Sequence, residues 1–149
     1  MEIEVNLQDA KDYTPLPSGS YEVELPEDEN CVVFHEAASG TPCVKWNFLV
    51  SGTNGQEEFK GRKLTRITPI AGEGAGITLA MLEPLGVQYK AEEEEDGSGK
   101  MKLIFLKFNT DDCRGKHAIA RVTQRTYEVE GEKRPTNDVK SLGKVPVGA

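Results

Sequence analysis

Cys43-Val44-Lys45-Trp46-Asn47-Phe48-Leu49-Val50 runs directly into Ser51-Gly52-Thr53-Asn54-Gly55. In the first stretch Val44, Trp46, Phe48 and Val50 alternate with Cys43, Lys45, Asn47 and Leu49, and residues two apart share one face of an extended chain. The alternation predicts a strand with Trp46 on its core side. Asn54-Gly55 supplies the positive φ that a tight hairpin needs, so the chain should turn and return as a second strand over residues 57–67. On that strand Lys60, Arg62, Leu64 and Arg66 would share one face, with Phe59, Gly61, Lys63, Thr65 and Ile67 on the other. Three cations then line one side.

Toward the N-terminus, residues 1–17 read as an extended lead-in, since Pro15 and Pro17 argue against a helix. Tyr21, Val23 and Leu25 alternate with Glu22 and Glu24 as a half-buried strand that Pro26 closes. Cys31-Val32-Val33-Phe34 fits a further short strand. Toward the C-terminus, Ile77, Leu79, Ala80, Met81, Leu82 and Leu85 recur with helical spacing; Pro84 limits the helix and Gly86 caps it. Residues 91–99, with five acids from Glu92 to Asp96, read as a solvated loop, and residues 101–108 as a strand or a buried helical turn. Residues 116–127 predict a long strand with Ala118, Ala120 and Val122 on one face and Ile119, Arg121, Thr123, Arg125 and Tyr127 on the other. Gly131 marks a second hairpin, with the return through Thr136-Asn137-Asp138-Val139-Lys140. The division is a lead-in (1–17), one domain (18–141) and a flexible tail (142–149).

A chain of 149 residues is the size of one domain, and no apolar run approaches the roughly 18 residues of a membrane span. The acidic start Met1-Glu2-Ile3-Glu4 lacks the basic flank and apolar stretch of a secretory signal. Cys31, Cys43 and Cys113, an odd number at no scaffold spacing, fit free thiols in a reducing compartment, so a cytoplasmic location is expected. The net charge is −7, but residues 100–149 carry 11 Lys+Arg against 6 Asp+Glu, leaving the acid in the first part of the chain. Local fields rather than totals steer ligands.

Little in the sequence suggests catalysis. Gly72-Glu73-Gly74-Ala75-Gly76-Ile77-Thr78 lacks the Lys-Ser/Thr ending of a phosphate-binding loop. The carboxylates lie in solvated runs, so none stands out as an acid/base pair. Cys31-x3-His35 and Cys113-x3-His117 repeat a zinc-compatible spacing, but a strand starting at Lys116 would turn His117 across the sheet, and free thiols with ordinary imidazoles are expected. No cofactor and no metal are expected.

Three strands, one short helix and two strands give the element order of the OB-fold. The expected fold is therefore mainly β: an OB-fold-like five-stranded barrel with one short helix between the third and fourth strands. Pro15-Leu16-Pro17-Ser18-Gly19-Ser20-Tyr21-Glu22-Val23, Ser39-Gly40-Thr41 leading to Trp46-Asn47-Phe48, Phe59-Lys60-Gly61-Arg62, Leu85-Gly86-Val87, Arg114-Gly115-Lys116, Tyr127 and Asn137-Asp138-Val139-Lys140 together resemble a family of small phage and prophage proteins. The resemblance implies an OB-fold single-stranded DNA-binding protein encoded among replication and recombination functions, with proteins of those processes as further partners. No acidic C-terminal tip of the kind that recruits partners to bacterial single-stranded DNA-binding proteins is present. On this reading Lys60, Arg62 and Arg66, with Arg121 and Arg125, would track phosphates, Tyr127 would stack on a base and Lys140 would extend the groove. The acidic segments around Asp28 and Glu92 to Asp96 would face away. The rival expectation is an interaction module that binds or inhibits a host protein through its acidic surface.

Overall fold

The computed structural model describes Glu2, residues 15–71 and residues 74–146. The chain forms β1 (Gly19–Glu24), β2 (Val32–Glu36), β3 (Pro42–Val50), β4 (Lys63–Pro69), helix α1 (Ala75–Leu85), β5 (Tyr89–Glu95), β6 (Met101–Phe108), β7 (His117–Val129) and β8 (Glu132–Gly143). Six strands form one sheet in the order β2-β3-β1-β7-β8, with β4 on the other edge of β3; β5 and β6 form a separate two-stranded ribbon. The fold is mainly β and OB-like, with one α-helix, and the sheet is not closed into a barrel. The five strands expected from sequence are β1, β3, β4, β7 and β8, and the short Val32–Glu36 strand is a sixth.

Alternation fixes which side of the sheet is the core. Trp46, Phe48 and Val50 of β3 are buried with Tyr21 and Val23 of β1, Leu64 of β4, and Ala118, Ala120 and Val122 of β7. The fully buried Trp46 ring stacks with Phe48 (6.4 Å) and Phe108 (6.3 Å). Its indole N–H donates to Thr68 Oγ1 at 2.8 Å, and the Thr68 and Thr78 hydroxyls lie 2.7 Å apart. The Thr78 hydroxyl reaches the Pro69 carbonyl, so a buried polar chain ties α1 to β4 without leaving a donor orphaned. Met81, Leu82 and Leu85 turn into the same core. Gly86, at φ 73°, ends the helix: its N–H bonds Glu83 O and that of Val87 bonds Leu82 O, a Schellman closure. Leu16, in the expected lead-in, is a core residue held by Gln124 and Asn137, whose amides bond its backbone on both sides. The rest of the lead-in (residues 1 and 3–14), residues 72–73 of the glycine-rich segment and residues 147–149 of the expected tail lie outside the described residues; β8 itself runs to Gly143.

Two local readings are corrected. Residues 57–67 are not one strand: Glu57–Phe59 forms a short 3-10 helix and β4 starts only at Lys63. The break follows from Phe59, which leaves the ladder to pack edge-on against Tyr21, and from Gly61 at φ 82°. Residues 91–99 are not wholly a loop either, because Glu92 to Glu95 belong to β5 and pair with β6. At the base of that ribbon Tyr89, Leu106 and Phe108 pack on the core, and this anchor outweighs the poor strand propensity of a glutamate run. Residues 101–108 are accordingly a strand.

Candidate nucleic-acid interface

β4 pairs only with β3 and β8 only with β7 among the described residues, so each keeps one open edge. Between them runs a cleft of about 970 Å³, lined from one side by residues 60–65 and from the other by Tyr127, Arg134, Pro135, Thr136 and Asn137, with Pro15 at its margin. Among the described residues four cations, Lys60, Arg62, Lys63 and Arg134, belong to this lining and no acid does, although the chain carries a net charge of −7.

The connector between β3 and β4 holds the first cations in place. Gly52 takes φ 80°, and a Cβ built on it would stand 2.6 Å from Cβ of Lys60, so the two backbones meet as only glycine allows. Gln56 anchors the same connector by donating from Nε2 to Ser20 O at 2.8 Å. Val50 then brackets Gly61 and Arg62, accepting from Gly61 N at 2.8 Å and donating to Arg62 O at 2.9 Å. Arg62 and Glu58 both lie close to Tyr21: burial raises its phenol pKa, Glu58 adds to the rise and Arg62 opposes it.

On the opposite wall the hairpin register decides which side chains meet. Glu130 and Gly131 both take positive φ, the two-residue turn that sets Val129 opposite Glu132 and Tyr127 opposite Arg134. Tyr127 is 40% exposed, an aromatic face beside a guanidinium. Among the described residues Arg134 makes one loose ion pair, 3.8 Å to Glu132.

Of the seven residues expected from sequence, the structure brings Lys60, Arg62 and Tyr127 to the cleft and puts the other four elsewhere. Arg66 does not extend the row of Lys60 and Arg62. With the strand starting at Lys63, Leu64, Arg66 and Thr68 face inward, and the Arg66 guanidinium sits 3.1 Å from Met81 Sδ, its pKa lowered by desolvation. Arg125 bonds Asp138 at 2.9 Å, and Lys140, an extra residue in β8 where the register with β7 shifts, lies 3.9 Å from the same carboxylate. Arg121 is exposed on the outer face of β7, between Ser20 and Ser141. Sequence reasoning missed Lys63 and Arg134. The two-residue turn at Glu130-Gly131 would have found Arg134, whereas Lys63 needed the break at Phe59.

The zinc-like pairs do not converge. Cys31 and Cys113 are buried near each other, and desolvation first, then the Cys31 charge, pushes the Cys113 thiol up to about 12. His35 pairs with Cys43, and His117 lies on the outer face, 3.5 Å from Glu22 and 3.9 Å from Glu24. Among the described residues no group of three or more His, Cys, Asp or Glu could hold a metal ion, and no helix is long and apolar enough to cross a membrane.

No family model matches the chain, and no curated protein matches it in sequence. Among solved structures it is similar to a small single-stranded DNA-binding protein from Streptomyces coelicolor, with 14% sequence identity, a TM-score of 0.25, and coverage of 85% of this chain and 89% of that one. At that score the likeness has no bearing on site or ligand, and the cleft stands on its own residues.

Proposed function

We propose that this protein binds single-stranded DNA without transforming it, holding the strand in the cleft between β4 and β8. The observation that carries the reading is the gathering of Lys60, Arg62, Lys63 and Arg134 along one cleft, with no acid among its described lining residues, in a chain of net charge −7. Cations gathered along one cleft attract a polyanion, which releases its own counterions on binding. Tyr127 supplies a face for a base, and stacking of this kind tolerates any sequence. Among the described residues no Asp, Glu, His or Cys lines the cleft, so none of them offers a carboxylate, imidazole or thiol there. A cytoplasmic role in phage replication or recombination, as the sequence resemblance implies, is one setting for such an activity. Arg121 on the outer face of β7 is a further phosphate contact for a strand that leaves the cleft.

The test is fluorescence polarisation with a labelled oligonucleotide of about 30 nucleotides over a salt series. Four engaged cations at roughly 0.7 counterions each predict a log-log slope near −2.8. Tyr127→Ala should weaken binding by about 1–3 kcal/mol while leaving the slope nearly unchanged. Absence of binding to either DNA or RNA at low salt would overturn the proposal. The rival reading, a module for binding a host protein, would then take its place, favoured by the exposed Met101, Ile104 and Phe105 beside Glu92 to Glu95.

A further inference from the structure

A second cavity, of about 300 Å³, lies on the far side of β4. Asn47 stands opposite Thr65 and Leu49 opposite Lys63 on the outer face of the β3–β4 pair, and the loop carrying Pro26, Asp28 and Asn30 forms the remaining wall. Lys63 and Thr65 line both this pocket and the cleft. A strand with its phosphates against Lys60 and Lys63 can therefore pass one base over β4 into the pocket, whose volume, at the small end of ligand sites, suits a single flat ring system.

The pocket's polar groups are biased toward acceptors. Asp28 Oδ1 accepts from Asn30 N–H at 2.8 Å, which fixes the carboxylate and leaves Oδ2 without a hydrogen-bond partner among the described residues. The Asn47 amide donates from Nδ2 to Asn30 O at 2.7 Å, leaving its own carbonyl oxygen as a second acceptor. Leu49 and Pro26 supply apolar walls. Building on the nucleic-acid reading of the cleft, the geometry points to a base pocket that prefers cytosine, adenine or guanine over thymine or uracil. The first three carry an exocyclic amino group that donates to the Asp28 carboxylate, whereas thymine and uracil have carbonyl oxygens in its place, which the carboxylate repels, and keep as donor only a ring N3–H flanked by those two oxygens.

Polarisation titrations of the full chain with labelled oligo-dC and oligo-dT of about 12 nucleotides, a length within the range one such fold covers, decide the matter. Wild type should bind oligo-dC about fivefold more tightly than oligo-dT, a modest discrimination because Asp28 is open to water. Asp28→Asn keeps an oxygen for the Asn30 N–H. Its loss of charge should raise both affinities together, while its amide should bring the dC:dT ratio toward one. Lys60→Gln, at a residue that lines the cleft but not the pocket, should weaken both oligonucleotides and leave the ratio in place, since it acts on phosphates. Equal wild-type affinities, or a ratio unmoved by Asp28→Asn, would overturn the base pocket while leaving the cleft as the binding site. Failure of wild type to bind either oligonucleotide would instead remove the nucleic-acid reading itself.

Discussion

The six-stranded sheet and the β5–β6 ribbon are both antiparallel β-structure, yet they treat charge and apolar surface in opposite ways. The sheet buries Trp46, Phe48, Val23 and Val122 on one face and brings cations to its open edges. The ribbon is anchored only at its base; farther out it exposes Met101, Ile104 and Phe105 and carries Glu92 to Glu95. A strand with a core behind it is held by packing and can gather like charges at one site. A strand without one is kept from pairing with foreign edges by repulsion, which the glutamates provide.

The largest expected difference between the two regions is in stability. Trp46→Ala removes a fully buried ring and leaves the Thr68 hydroxyl without its indole donor, and should cost about 3–5 kcal/mol in chemical denaturation. Phe105→Ala, at a site already 43% exposed, should stay within about 0.5 kcal/mol. Equal losses at the two sites would mean that the ribbon, too, is part of the cooperative core.

A pH series sharpens the contrast through Cys113, which is buried in the core cluster. Its thiol is held neutral up to about 12 when folded against 9.0 as the ordinary value, so the unfolded chain ionises first. Stability from this group is fully present below about pH 9 and is lost as the pH climbs toward 12, by up to about 4 kcal/mol. Cys113→Ala should remove that part of the alkaline decline, seen as the difference between wild-type and variant denaturation midpoints over the same range. Replacing the ribbon's Ile104 by Ala should leave the decline as it is.

The smallest effects concern ligand binding. Lys60→Ala with Lys63→Ala should flatten the salt slope by about 1.4. Changing Glu92 to Glu95 together to Gln should leave the slope alone and raise affinity less than about twofold, because exposed charges beyond a Debye length are screened. A slope change from the glutamates as large as that from the lysines would show that the ribbon borders the bound strand.

Much of the fold was legible because β3 and β7 alternate cleanly, and Trp46 announced the core side by its own neighbours. The ribbon was not, since its anchor is tertiary: Phe108 stacks on Trp46 from 62 positions away, and nothing local to Glu92 reveals it. At the site, Tyr127 and Lys60 could be read from the residues themselves. Arg66 faces inward, against the expectation from sequence, because the alternation does not continue through Phe59–Gly61, where a 3-10 helix and a positive-φ glycine reset the phase. Arg125 and Lys140 had the right charge, but Asp138 engages both, a cross-strand pairing that composition does not disclose.

Pro135 lies on the open edge of the hairpin, at a pair between the hydrogen-bonded ones, so its ring nitrogen points away from β7. An invading polypeptide strand would find no amide proton there to continue its ladder, and two copies of the chain cannot zip together smoothly along β8. A nucleotide strand asks nothing of that position, since phosphates and bases seek side-chain cations and rings. On the proposed reading the imino acid would act as a filter on the kind of polymer admitted, opposing a protein strand at that point of the edge while asking nothing of a charged, flexible one.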